Sequence, residues 1–129
     1  MKNWIIGLLL TLVAGFAQAQ AATCVVGAKG TAPTASLVFT APTLNTDTTP
    51  IAGPVSYNLY QSTSTGTEVK VASALKGSPV AVTTGLLDSV TFYWKITAVD
   101  ANGTESALSN EVCKSFPAGV PGAVTITVT

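Results

Sequence analysis

Half of the chain's six acidic residues fall in one short stretch, AVDANGTESALSNEV, residues 98–112. Asp100, Glu105 and Glu111 surround an Asn102-Gly103 pair there, and oxygen ligands spaced around a glycine bend are what a calcium loop requires. A full loop of that kind has twelve positions, with glycine at the sixth and a bidentate glutamate at the twelfth. Counted from Asp100, Glu111 takes the twelfth place, but the glycine falls at the fourth, Leu108 takes the ninth and no helical pattern flanks the segment. Asn102-Gly103 between two alternating apolar runs is instead a hairpin signal, because both residues tolerate positive φ. The stretch reads as a bend that leaves Asp100 and Glu105 on an exposed turn, with no metal site. Asn102-Gly103-Thr104 also matches a glycosylation acceptor, read as coincidental beside a leader of bacterial or phage type.

Other reactive constellations are thin. The chain has no His, which rules out Ser-His-Asp and Cys-His nucleophile arrangements. Two cysteines without histidine cannot close a tetrahedral zinc site. Asp100 and Glu105 could form a carboxylate pair for glycoside cleavage, but an exposed turn would not drive their pKa values apart. No phosphate-cradling loop and no glycine-rich dinucleotide turn occurs, and a Ser-Lys pair is left open. The expectation is a non-catalytic protein with no cofactor.

The compartment is written in the first nineteen residues, MKNWIIGLLLTLVAGFAQA. A basic start at Lys2, an apolar run at 5–16 and Ala17-Gln18-Ala19 lay out a secretory signal peptide cleaved after Ala19, with a second Ala-x-Ala at Ala19-Gln20-Ala21 that would set the mature start two residues later. The apolar run is shorter than the roughly 20 residues of a membrane-spanning helix. Membrane association is expected only through an uncleaved leader or through lipidation at Cys24, and AATC lacks the residues a lipobox carries before its cysteine. About 110 residues remain, enough for one small domain. Without Lys2, five lysines face six acids and Arg is absent, so the net charge is −1 and nucleic-acid binding is not expected. Cys24 and Cys113 lie near the two ends of this remainder, and an even count in an exported chain predicts a disulfide. Closing so long a loop stabilises by roughly 4–5 kcal/mol.

The elements that must hold these residues read as strands. Apolar residues recur at spacing two, with Thr, Ser, Gly and Pro between the runs. Leu37 and Phe39 alternate in SLVFTAP; Val55, Tyr57 and Leu59 share a face of VSYNLYQ; Val69 and Val71 point inward from EVKVAS. Val80 and Val82 follow, and then the longest run, VTFYWKITAVD, with Phe92, Trp94, Ile96 and Ala98 on one face and Tyr93, Lys95, Thr97 and Val99 on the other. SNEVCKSF completes a set of six or seven short strands without a helix, which predicts an antiparallel sandwich. After residue 116 the chain changes character. Pro117, Gly119, Pro121 and Gly122 form a hinge, and Val124, Ile126 and Val128 alternate with Thr, either as an extra or frayed edge of this domain or as a strand donated to a neighbour.

Taken together, SLVFTAPTLNTDTTPIAGPVSYNLYQS and GLLDSVTFYWKITAVDANGTESALSNEV resemble a fibronectin type III domain of the bacterial or phage kind. The resemblance covers about residues 34–116 and implies an all-β, immunoglobulin-like antiparallel β-sandwich of about seven strands, preceded here by a signal-peptide helix. Phe39 stands where that family keeps a core Trp. The resemblance also implies a Tyr six residues after Leu86, whose hydroxyl ties back to the preceding loop. Phe92 stands there instead, losing a hydrogen bond worth about 1 kcal/mol, and the disulfide is expected to offset the loss. The domain plan is a leader at 1–19, the sandwich at 20–116 and a hinge with a strand-like tail at 117–129.

Such domains act as spacers and adhesive units, so this chain is expected to be an exported interaction or adhesion module. It would be secreted, periplasmic, on the cell surface or virion-associated, with a protein or surface glycan as partner. The alternative is a structural subunit of a phage virion or surface fibre, a homo-oligomer built by strand addition through Val124, Ile126 and Val128. The expected binding surface comprises Tyr60 and Tyr93, read as solvent-facing aromatics, with Asn102, Gly103, Thr104 and Glu105 of the bend and the NTDTTP loop.

Overall fold

The computed structural model describes residues 23–128; the expected leader at 1–19 and its cleavage site lie outside the described residues. Seven strands follow in order: β1 (Val25–Val26), β2 (Ala35–Leu37), β3 (Ser56–Ser62), β4 (Val69–Leu75), β5 (Val80–Val82), β6 (Val90–Val99) and β7 (Val112–Phe116). One sheet has the order β1-β7-β6-β3-β4 and the other pairs β2 with β5. All pairs are antiparallel except β1 with β7. No helix occurs among the described residues.

Alternation explains the core. β2 and β5 each present two inward residues, Ala35 with Leu37 and Val80 with Val82, to Leu59, Phe92, Trp94 and Phe116 of the larger sheet. Trp94 is 1 % exposed and its indole nitrogen donates to Gln61 Oε1 at 2.7 Å, which satisfies its buried polar atom. Phe92 stacks against Trp94 and meets Phe116 edge-on, with centroids 6.1 Å apart in each pair. Phe39 tilts onto Tyr57 at 4.6 Å, and Leu86 packs at the margin of the same core. Full burial of such side chains contributes roughly 1.5–3 kcal/mol apiece.

One strand departs from the alternation. Val69 and Val71 were expected inward, yet they are 65 % and 51 % exposed. β4 is an edge strand, and its register against β3 slips twice, from Tyr57↔Leu75 to Leu59↔Ala72 and then to Tyr60↔Lys70. Each slip sets an extra β4 residue against β3, and Ala74, in the first, has a φ of 56°. Bulges of this kind break the period of two on which the expectation rested.

Cys24 and Cys113 are joined as a disulfide, with Cα atoms 4.6 Å apart. Cys24 immediately precedes β1, and the parallel register Val25↔Lys114 brings it beside Cys113. The clasp thus ties the first and last strands edge to edge within one sheet. Residues 117–128 form no strand, and Val124, Ile126 and Val128 are 88 %, 85 % and 91 % exposed.

Candidate functional site

The 100–105 stretch is a bend, as the sequence predicts, but its construction differs. Asp100 accepts the Asn102 and Thr104 amides on Oδ1 at 2.9 and 2.8 Å, and its carbonyl accepts from Gly103 at 3.1 Å. Gly103 has a φ of 83°, whereas Asn102 does not enter the positive-φ region. This is a longer hairpin loop with one left-handed glycine, not a two-residue primed turn. The Asp100 carboxylate is spent on its own backbone, a local turn motif rather than a ligand set.

Beyond the bend the return limb is irregular. Val99 bridges Glu105, after which Ser106 and Ser109 take over the pairing with β6. Ser106 donates its amide to the Ala98 carbonyl and accepts the Ala98 amide on its hydroxyl, at 2.8 and 3.0 Å; Ser109 does the same with Ile96 at 2.9 and 3.0 Å. A residue spacing of three on the limb therefore matches a spacing of two on the strand.

The sequence places Glu105 on an exposed turn, and it is exposed, but the expectation that nothing there perturbs its pKa fails because its carboxylate reaches back over the outer face of the large sheet. Its Oε1 accepts from the Thr97 hydroxyl at 2.5 Å, the Tyr60 hydroxyl at 2.7 Å and the Asn58 amide at 2.8 Å, while Oε2 meets the Lys70 amino group at 3.2 Å. Those donors, Thr97 first, then Tyr60 and Asn58, lower the Glu105 pKa to about 2. Asn58 and Thr97 face each other across β3 and β6 and are buried, although alternation alone puts Thr97 on the solvent side. No local signal marks this cluster, because it depends on the register between strands far apart in sequence.

A second charged cluster lies further along the same sheet. The Lys95 amino group is 3.0 Å from Glu68 and 3.6 Å from Glu111, and their side chains are 19 %, 2 % and 13 % exposed. Glu111 also accepts from the Thr65 hydroxyl at 2.7 Å and the Gly66 amide at 2.9 Å. Its pKa is lowered to about 2, first through hydrogen bonding with the Glu68 carboxyl and then through Thr65, with smaller help from Gly66 and Lys95. Lys95 is held above its usual value, chiefly by its hydrogen bond to Glu68. The three fasten the 63–68 turn to β6 and to the start of β7.

The bend meets a second loop. Asp47 accepts from both the amide and the hydroxyl of Thr49, at 3.1 and 2.6 Å, and Asn45 bonds Thr49 and the Pro50 carbonyl, so NTDTTP is a self-bonded miniature hairpin. The same loop continues to Ala52, whose carbonyl accepts the Ala101 amide at 3.0 Å. Gly53, at a φ of 67°, passes so close that an added Cβ would stand 2.7 Å from the Ala101 Cβ. The two loops enclose an open groove of about 470 Å³ whose lining includes Leu44, Asp47, Ile51, Asp100, Thr104 and Ser106.

The structure therefore separates the expected surface into parts. Asn102, Gly103 and Thr104 stand exposed on the rim beside NTDTTP. Glu105 lines the groove while its carboxylate is held on the sheet. Tyr60 and Tyr93 lie on the sheet and are only half-exposed; Tyr60 is bonded to Glu105 through its hydroxyl and carries Lys70 over its ring at 5.4 Å. Among the described residues no three His, Cys, Asp or Glu side chains converge as a metal site. Ser73 and Lys76, which have the Ser-x-x-Lys spacing, are both exposed, at the end of edge strand β4 and just beyond it.

No protein-family model matches the sequence, and no curated protein does. Among solved structures the chain is similar to a Fn3-like protein from Clostridium thermocellum, with 26 % identity over 73 % of this chain and 86 % of that one, at a TM-score of 0.53. The fold is fibronectin type III-like, the scaffold of a binding or structural module.

Proposed function

We propose that this chain is an exported, non-catalytic interaction module that engages a protein or surface glycan through the rim formed by loops 42–55 and 100–106. The observation that carries this reading is the Ala101–Ala52 hydrogen bond with Gly53 packed beneath it, which fuses two self-bonded loops into one preformed surface. Preformed loops on a rigid sandwich recognise partners without a large ordering cost. The acidic side chains around the rim support a non-catalytic role, because Asp47, Asp100 and Glu105 are occupied by hydrogen-bond donors of the fold itself. A disulfide between Cys24 and Cys113 supports an oxidising compartment, in keeping with the leader.

The test is binding of the exported protein to a panel of bacterial surface polysaccharides and surface proteins, beside a variant carrying Asp47→Ala, Asn102→Ala and Thr104→Ala. Binding that is lost in the variant is the expected result. Equal binding by both would exclude the rim.

A second reading is favoured by a separate observation, the exposed apolar row Val124, Ile126 and Val128. It makes the chain a subunit of a surface fibre or virion, assembled by strand addition. Removing residues 123–129 and measuring the mass in solution separates the two readings.

A further inference from the structure

We propose that residues 123–128 of one copy lie along the free edge of β2 in a second copy, which returns the same strand to give a closed pair. This inference rests on the assembly reading and assigns its acceptor. Among the described residues β2 has β5 as its single strand neighbour, and none of them forms a strand on its other edge. Burial alternates along residues 35–40, with Ala35, Leu37 and Phe39 inward and Ser36, Val38 and Thr40 exposed, and all six residues line the neighbouring groove although β2 itself is residues 35–37. Beside it, between the two sheets, runs an open groove of about 780 Å³ lined by Leu37, Phe39, Trp94 and Ile96 and rimmed by the exposed Val25 and Val112.

The other open edges are poorer acceptors. β1 has two residues, β4 is broken by two register shifts and carries Lys70, and β5 lines neither groove. Irregular, charged and very short edges resist strand addition.

The donor matches the β2 groove in length and charge. Val124, Ile126 and Val128 alternate with Thr125 and Thr127, giving one apolar and one polar face, and residues 115–128 carry no charge. The lysines at the groove are already engaged, Lys95 by Glu68 and Lys114 by the Thr34 carbonyl at 2.7 Å, so an uncharged strand enters without leaving a charge unpaired. The hinge at 117–122 passes beside Gly30 of its own domain at Gly119, and it spans up to about 20 Å when extended, so the strand begins beyond that contact. One six-residue strand in such a groove buries on the order of 1,000 Å², short of the roughly 1,200–2,000 Å² of a stable interface. Two strands exchanged reciprocally reach that range.

The experiment starts from the full chain expressed with its leader and purified after export. Its mass is measured by light scattering at high micromolar concentration, beside Ile126→Lys in the donor and Val112→Lys in the acceptor. A labelled AVTITV peptide is titrated onto protein lacking residues 123–129, with and without Val112→Lys. The expected result is a dimer for the parent, monomers for both lysine variants, and peptide binding weakened at least about tenfold by Val112→Lys. A dimer that Ile126→Lys dissolves but Val112→Lys does not, with peptide binding unchanged, overturns the β2 acceptor and leaves assembly through the tail standing. A monomeric parent and a silent peptide overturn both. Should Val112→Lys lose its fold by circular dichroism, peptide-induced amide shifts decide: shifts at Ser36 and Val38 support the proposal, and shifts confined elsewhere refute it.

Discussion

The Glu105 carboxylate and the Thr97 hydroxyl stand 2.5 Å apart, joining the far limb of the 100–105 bend to the middle of β6. With Tyr60, Asn58 and Lys70 on the same carboxylate, one exposed residue of the bend ties together side chains of β3, β4 and β6.

Acid should loosen this closure. The Glu105 pKa is depressed to about 2, so its stabilising contribution is complete above the ordinary carboxylate range near 4.5 and is lost as pH falls toward 2. Glu111 acts in the same direction over the same window. The melting temperature is expected to fall between about pH 4.5 and 2, and to fall less steeply in Glu105→Gln. Parallel slopes for the two proteins in a thermal scan series would contradict the assignment.

Lys95→Met leaves Glu68 and Glu111 facing each other without their shared cation. Because Lys95 keeps 19 % of its side chain exposed, the loss belongs at the lower end of the range for a broken buried pair, about 3 kcal/mol at neutral pH. Urea unfolding at pH 7 measures the loss.

Reduction of Cys24–Cys113 should cost about 2–5 kcal/mol, which for a domain of this size is a drop of roughly 10–25 °C in melting temperature. An unchanged melting temperature with reductant would also refute the idea that the disulfide offsets the missing hydroxyl at Phe92.

Gly53→Ala places a methyl against the Ala101 side chain at a φ of 67°. The two loops must then part, at a cost of about 1–2 kcal/mol. Amide exchange at Ala101 should accelerate and any rim-dependent binding should weaken. An Ala101 amide as protected as in the parent would show that the loops are joined by something else.

Much of the sandwich was legible in single strands. Phe92 with Trp94, Tyr57 with Leu59 and Val80 with Val82 each declare an inward face by alternation, and two cysteines near the ends of the stretch after the expected leader declare their bond. What escaped depends on relations between strands. Val69 and Val71 face outward because two bulges in β4 shift the period, and no residue type announces a bulge there. Glu105 finds Thr97, Asn58 and Tyr60 only after β3 and β6 are in register. The Asn102-Gly103 pair announced a turn correctly, but the choice of turn was made by Asp100, whose side chain captures the two amides that follow. The union of the two loops hangs on Gly53, which in the sequence is one more glycine in a Pro- and Thr-rich stretch.

The edge-to-edge clasp has a mechanical corollary. A pull that enters ahead of Cys24 and leaves beyond Cys113 travels through a single covalent crossing, and the 88 positions between them, one fewer than their separation of 89, bear no tension. Were that crossing cut, the same pull could draw out roughly 300 Å of slack polypeptide. Intact, the unit behaves as an inextensible link, fit for any tether whose reach must not change under load.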